Sequence, residues 1–176
     1  LVELGKENKN VIALCADLAG STRASFFDKE FPERYIEVGV AEQNLVTIAS
    51  GLAAQGKVPF PSSFAMFCPG RCWEQIRTTI CYNDQNVKIA GSQSGITVGE
   101  DGATHQIMED IGLMKMLPQM TVINPADFDQ TKAATKAIAK YTGPVYLRFG
   151  RPNVPNFTGE NQKFEIGKAV KMIEGK

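Results

Sequence analysis

The sequence has one histidine, one tryptophan and no surplus of either charge, with 19 Lys+Arg against 19 Asp+Glu in 176 residues. That balance leaves no global field to attract nucleic acid or an anionic membrane surface, so neither is expected as a partner. The cysteines, Cys15, Cys68, Cys72 and Cys81, contain no C-x-x-C pair, and His105 lies far from them in the chain. Reduced, partly buried thiols are therefore expected, and no metal-ligating residue is assigned. No apolar run nears the roughly 20 residues of a membrane-spanning helix, and no leader-like segment opens the sequence. The reading is a soluble, cytoplasmic chain. Neither G-x-G-x-x-G nor G-x-x-x-x-G-K-[ST] occurs, which argues against a dinucleotide fold and a P-loop hydrolase. G-x-S-x-G is missing too, and the sole histidine has no nucleophile-elbow pattern beside it, which argues against a serine hydrolase.

What the sequence does contain is a rhythm. Apolar, β-rich runs at 11–15, 35–38, 58–61, 87–91, 121–124 and 145–148 read as strands. Helical spacing or helix-forming residues fill 1–9, 23–30, 42–55, 71–83, 105–117 and 126–140. Strands that are apolar throughout and separated by helices imply a mostly parallel sheet, because parallel neighbours need a crossover connection. The expected fold class is α/β: a doubly wound, mostly parallel sheet of about six strands with helices on both faces. With 43% hydrophobic residues the chain can pack one domain core without disulfides or metal. The stretch 151–162, with Pro152, Pro155 and Gly159, reads as an exposed linker, and 163–176 as a fresh strand-like run that begins a further domain. Leu1, in place of an initiator methionine and already inside an amphipathic pattern, is what a chain cut from a longer one would show.

In such folds ligands gather beyond the carboxyl ends of the strands, which points to 17–22, 39–42, 62–71, 93–105 and Arg151. Segment 91–106 packs glycines, Glu100, Asp101 and His105 between a strand and a helix. Its glycines permit close backbone approach, and its hydroxyls and carboxylates suit a polyol; a flexible surface loop is the plain alternative. Glu42 opens a helix that is apolar nearly all round, the mark of a buried helix. It either complements the helix dipole or, buried at an interface, serves as a proton donor near neutrality.

The strings R-Y-I-E-V-G-V-A-E-Q-N at 34–44 and G-E-D-G-A-T-H-Q at 99–106 resemble the pyrimidine-binding domain of transketolases. Supporting matches are A-D-L at 16–18, F-A-M-F at 64–67, L-P at 117–118, N-P-A-D at 124–127 and R-P at 151–152. The resemblance implies a pyrimidine-binding domain over 1–158, with linker and the start of a missing C-terminal domain at 159–176. It implies thiamine diphosphate as cofactor, with Glu42 catalytic at the ring nitrogen of the aminopyrimidine, a contact that promotes proton loss from the thiazolium carbon. Phe67 is then the stacking surface for the pyrimidine, Phe64 fills the adjoining pocket, and Asp17 lies on the pyrimidine side. On the substrate side, Ser21, Gln93 and Arg151 fall at the distal phosphate, Asp101 at the donor hydroxyl, and His105, catalytic, between substrate hydroxyl and carbonyl oxygens.

Two features depart from the family pattern: Gln93 stands where transketolases commonly carry histidine, and C-P-G-R at 68–71 runs one residue longer, leaving Arg71 without a role. The implied activity is transfer of two-carbon ketol units between sugar phosphates. The chain lacks the G-D-G and asparagine signature of the domain that holds the diphosphate through a divalent metal (Mg or Ca). A diphosphate-binding domain or subunit and a homodimer through pyrimidine domains are therefore the expected partners, and the chain alone is expected to be inactive. Alternatives are a 1-deoxy-D-xylulose-5-phosphate synthase, a 2-oxoacid dehydrogenase β-type domain, or a non-catalytic interaction module.

Overall fold

In the computed structural model, which describes residues 1–159 and 163–175, the chain forms one sheet of parallel strands covered on both faces by helices. The elements are α1 (Val2–Glu7), β1 (Val11–Cys15), α2 (Ser25–Glu30), β2 (Tyr35–Glu37), α3 (Glu42–Ala54), β3 (Val58–Phe64) and α4 (Trp73–Gln75). After a π-helical segment, Ile76–Cys81, come β4 (Lys88–Ser92), α5 (Asp110–Lys115), β5 (Thr121–Ile123), α6 (Phe128–Lys140) and β6 (Val145–Arg148). The sheet order is β2-β1-β3-β4-β6-β5, and every neighbouring pair is parallel.

Strand alternation builds both core layers. In β1, Ile12 and Leu14 join Leu45, Val46, Ile76, Ile80 and Met114 on one face, while Val11 and Ala13 join Leu4, Phe27, Ala134 and Ile138 on the other. β6 does the same, sending Tyr146 to the first layer and Val145 and Leu147 to the second. Close packing of the first layer depends on Gly91 of β4: a Cβ there would sit 2.4 Å from the Tyr146 hydroxyl oxygen.

β3 lies inside the sheet although it carries Pro59 and Pro61. The Val58 N–H donates to the Asn10 carbonyl on the β1 side, so the missing proline N–H groups fall on the opposite, β4 side. Pairing with β4 begins only at Ser62, past both prolines, and the strand runs on to Phe64 where the sequence reading stopped it at 61.

Other expectations need correction. The helix over 71–83 is a single short turn, α4, that widens into the π-helical segment. The helix over 105–117 shrinks to α5, preceded by a 3-10 turn, Gly99–Thr104, broken by Gly102 at φ 68°. The described residues 163–175 contain no strand; Phe164 and Ile166 instead pack on the second core layer. Residues 151–159 are exposed almost throughout, as a linker is expected to be, and are tied down at one point: the Phe157 and Thr158 N–H groups and the Thr158 hydroxyl all donate to Asp127, the N-cap of α6. Residues 160–162 of the expected linker lie outside the described residues. α3 is buried on one side only, with Gln43, Asn44, Gly51 and Ala54 exposed in this chain. All four cysteines are buried free thiols, in keeping with the plain reading, and no helix among the described residues is long and apolar enough to cross a membrane.

Candidate active site

Chain order places β2 and β3 on opposite sides of β1, so a crevice opens beyond the carboxyl ends of β1 and β3. Residues from the loops after β1, β2, β3 and β4 converge on that edge. Glu37, at the end of β2, organises the entrance. Its Oε1 accepts the backbone N–H of Asp17 at 2.7 Å and of Gly39 at 2.9 Å, and its Oε2 accepts the Tyr35 hydroxyl at 2.8 Å. One carboxylate thus ties the loop carrying Asp17, itself at φ 57°, to the turn that leads into α3.

Glu42 is the first residue of α3 and is only 2% exposed. Its Oε2 accepts from Arg71 Nη1 at 2.7 Å; Oε1 is not part of that pair. Beside it stands an aromatic group from two loops. Phe64, the last residue of β3, and Phe67, in the turn that follows, stack at 6.1 Å between centroids, and His105 meets their edges at 6.1 and 5.2 Å. The Arg71 guanidinium lies over the Phe67 ring, 5.0 Å from its centroid. His105 Nδ1 is 2.8 Å from the Thr104 hydroxyl. The arrangement offers a half-buried aromatic face with a buried carboxylate at its margin, which fits a flat heterocycle bearing a protonatable ring nitrogen.

The substrate-side residues are spread more widely. Gln93, just past β4, is buried and held at φ 50°. Ser21 lies exposed in the loop after β1. Arg151 does meet Asp101, Nη1 to Oδ2 at 3.0 Å, but its Nη2 also pairs with Glu100 at 3.1 Å and its Nη1 donates to the Val98 carbonyl. The guanidinium expected to hold a phosphate is thus engaged by two carboxylates. Segment 93–109 is anchored from beneath: Asp110 Oδ2 accepts the Tyr146 hydroxyl at 2.8 Å and Arg148 Nε at 2.7 Å, and Gly95 and Ile107 form an antiparallel bridge. Among the described residues no cluster of His, Cys, Asp or Glu could hold a metal ion.

Sequence reasoning assigned no role to Glu37 or Arg71. Glu37 lies within the string at 34–44 and at a strand end, and Arg71 in the longer C-P-G-R segment, but nothing local shows what either side chain reaches.

Comparison with known proteins identifies the family and the fold. The model of the transketolase pyrimidine binding domain matches residues 1–156. A Methanocaldococcus jannaschii protein named for the C-terminal section of a transketolase is 50% identical across 99% of this chain and 56% of its own length. A 6-deoxy-6-sulfo-D-fructose transketolase subunit, SqwH, from a Clostridium species is 41% identical across 99% of this chain and 54% of its own. A solved structure described as a split gene transketolase, inactive beta4 tetramer, superposes with a TM-score of 0.85 at 48% identity over 95% of this chain and 53% of its own. The chain spans about half the length of these relatives. It belongs to the transketolase family, as a pyrimidine-binding domain.

Proposed function

We propose that this chain, as the domain 1–158, is the pyrimidine-binding half of a thiamine-diphosphate-dependent transketolase that moves two-carbon ketol units between sugar phosphates. The observation that carries the reading is Glu42, buried at the margin of the Phe64–Phe67–His105 group on the ligand edge of the sheet. When bound, the cofactor supplies the carbanion chemistry; the protein supplies position and electrostatics. Glu42 holds the proton at the pyrimidine ring nitrogen. Phe67 presents its face to the ring, and Phe64 backs it. His105, with Nδ1 engaged by Thr104, presents Nε2 to substrate oxygens. Asp101 orients a hydroxyl of the donor, and Asp17 and Ser21 line the loop after β1.

Two further parts of the proposal are supported by the match to a pyrimidine-binding domain and by relatives named as a section and a subunit of transketolases. A diphosphate-binding domain or subunit carries the divalent metal and closes the site, and pyrimidine domains pair as a homodimer. Alone, the chain is inactive. A donor with a different distal group is the second reading of the substrate. It is supported by Gln93 at the distal end, by the engagement of Arg151 with Glu100 and Asp101, and by the sulfosugar in the name of the Clostridium relative.

The test is ketol transfer from xylulose 5-phosphate to ribose 5-phosphate by this chain plus a diphosphate-binding partner, thiamine diphosphate and magnesium. Glu42→Ala is expected to lower kcat at least about a hundredfold, the lower range for loss of acid–base assistance. Unchanged turnover in that variant sinks the role of Glu42. Condensation of pyruvate with glyceraldehyde 3-phosphate, in place of ketol transfer, would assign the chain to the synthase alternative.

A further inference from the structure

We infer that Arg71 is a positioning residue for Glu42: it pins one carboxylate oxygen, leaves the other for the ligand, and keeps the buried group ionised. The inference rests on the cofactor reading above. Glu42 is almost completely buried, whereas the Arg71 side chain is 48% exposed, so the cation reaches in from the solvent edge and the carboxylate does not reach out. Among the described residues, Arg71 makes the ion pair that Glu42 has. The Cys68 thiol, which feels the charge of Glu42, supplies no positive charge. Cys68 is pushed well above the ordinary thiol range by its contact with Cys72, by burial, and by the negative charge of Glu42, and so remains neutral. His105 meets the Phe67 ring edge-on, with centroids 5.2 Å apart.

The backbone is shaped to deliver Arg71 to this point. In the turn after β3 the Gly70 N–H donates to the Ala65 carbonyl at 3.1 Å, and the Arg71 N–H to the Phe67 carbonyl at 3.2 Å. A Cβ at Gly70 would lie 2.0 Å from the Met66 carbonyl oxygen, so only glycine permits this fold-back. The guanidinium is then braced on Phe67, a planar contact that an ammonium cannot reproduce. A carboxylate buried without a partner takes up a proton rather than remain charged, and it turns freely in its pocket. With Arg71 in place, Oε2 is fixed and Oε1 meets the ring nitrogen as part of an anion.

The experiment uses the chain assembled with its diphosphate-binding partner, in wild-type, Arg71→Gln and Arg71→Lys forms, each checked for fold by circular dichroism. First, without cofactor, 13C-carboxyl-labelled glutamate reports the state of Glu42 by NMR, assigned by its loss in Glu42→Gln. A carboxylate is expected in the wild type at neutral pH, a carboxylic acid in Arg71→Gln, and a carboxylate again in Arg71→Lys. Second, calorimetry measures thiamine diphosphate affinity, and deuterium exchange at the thiazolium carbon measures activation. Arg71→Gln is expected to slow exchange at least about tenfold, the scale of a misplaced reacting group, while affinity moves far less. Arg71→Lys recovers the charge without the brace, so its exchange rate falls between the two, which keeps the test decisive should Arg71→Gln fold poorly. An unchanged Glu42 carboxylate in Arg71→Gln overturns the inference. So does tighter cofactor binding, which would make Arg71 a competitor for the slot. If wild type binds no thiamine diphosphate, the cofactor reading fails, while the NMR comparison still decides the relation between Arg71 and Glu42.

Discussion

Replacing Asp110 with alanine tests how the His105 segment is held. The Asp110 side chain is fully buried, and its Oδ2 takes both the Tyr146 hydroxyl and Arg148 Nε at under 3 Å. Truncation orphans a buried phenol and a guanidinium whose side chain is 17% exposed. Removing one member of a buried ion pair costs about 3–5 kcal/mol. Arg148 retains some solvent and its Nη1 bond to Asn124 Oδ1 at 3.2 Å, so the lower end, about 3 kcal/mol, applies. For a chain of this size that corresponds to a drop in melting temperature of roughly 6–12 °C. The assay is thermal and urea unfolding of Asp110→Ala beside wild type, with Asp110→Asn as the near-isosteric control expected to lose less. Because α5 begins at Asp110 and segment 93–109 ends on it, amide exchange across 99–107 should also accelerate. A loss below about 1 kcal/mol, or a loss with no change in exchange over that segment, would refute the view that this buried triad anchors the site.

Two further predictions concern the rims of the fold. Lys88 is fully buried and donates to the carbonyls of Tyr141 and Gly143, just past the C-terminus of α6; burial lowers its pKa from 10.5 to about 7. Since the folded value lies below the unfolded one, the unfolded chain binds more protons between them, and this contribution to stability grows as pH rises from about 7 toward 10.5. The difference in unfolding free energy between wild type and Lys88→Met, measured over that window, should rise with pH; a flat difference contradicts the assignment. At Asp127, burial pushes the carboxyl pKa up but is outweighed by hydrogen bonds from the Gln130 N–H, the Thr158 hydroxyl, and the Phe157 and Thr158 N–H groups, which hold it well below the usual range. Its contribution is present above the unfolded value and is lost as pH falls through the folded one. Asp127→Asn should therefore flatten acid sensitivity and speed exchange of the Phe157 and Thr158 amides, and unchanged protection of those two amides counts against the strap.

The central strands β1, β3 and β4 were legible because burial on both faces writes continuous apolar runs, and all six strands appear where β-rich runs lie. β3 was read short because Pro59 and Pro61 look like a terminus; nothing local shows that their missing N–H groups fall where β4 has not yet begun to pair. The π-helical segment over Ile76–Cys81 was read as ordinary helix, since its side-chain spacing differs little from a helical period, while the 3-10 turn at Gly99–Thr104 fell in the glycine-rich stretch read as the connection before a helix. In the site, Glu42, Phe64, Phe67 and His105 were legible through their motifs. The contacts that fix them were not. Arg71 reaches Glu42 across 29 positions and Arg151 reaches Asp101 across 50, and such pairings leave no periodic trace in a sequence.

The same geometry makes the Glu42–Phe67 group a coherent unit within this chain. Glu42 and Phe67 are set by contacts within this chain: one by Arg71, the other by Phe64 and His105. No second polypeptide is needed to orient them. Val40, two residues before Glu42, is 71% exposed, and Ile96 and Met108, on either side of the Gly95–Ile107 bridge, are 62% and 75% exposed. Under the half-site proposal these apolar side chains are candidates for contact with a partner. On the proposed reading, that partner brings the diphosphate and metal while the chemistry of the pyrimidine is prepared here in advance. The division requires the Glu42–Arg71 pair to exist before assembly, because a buried carboxylate left to find its counter-charge on docking would first have taken up a proton and lost its orientation.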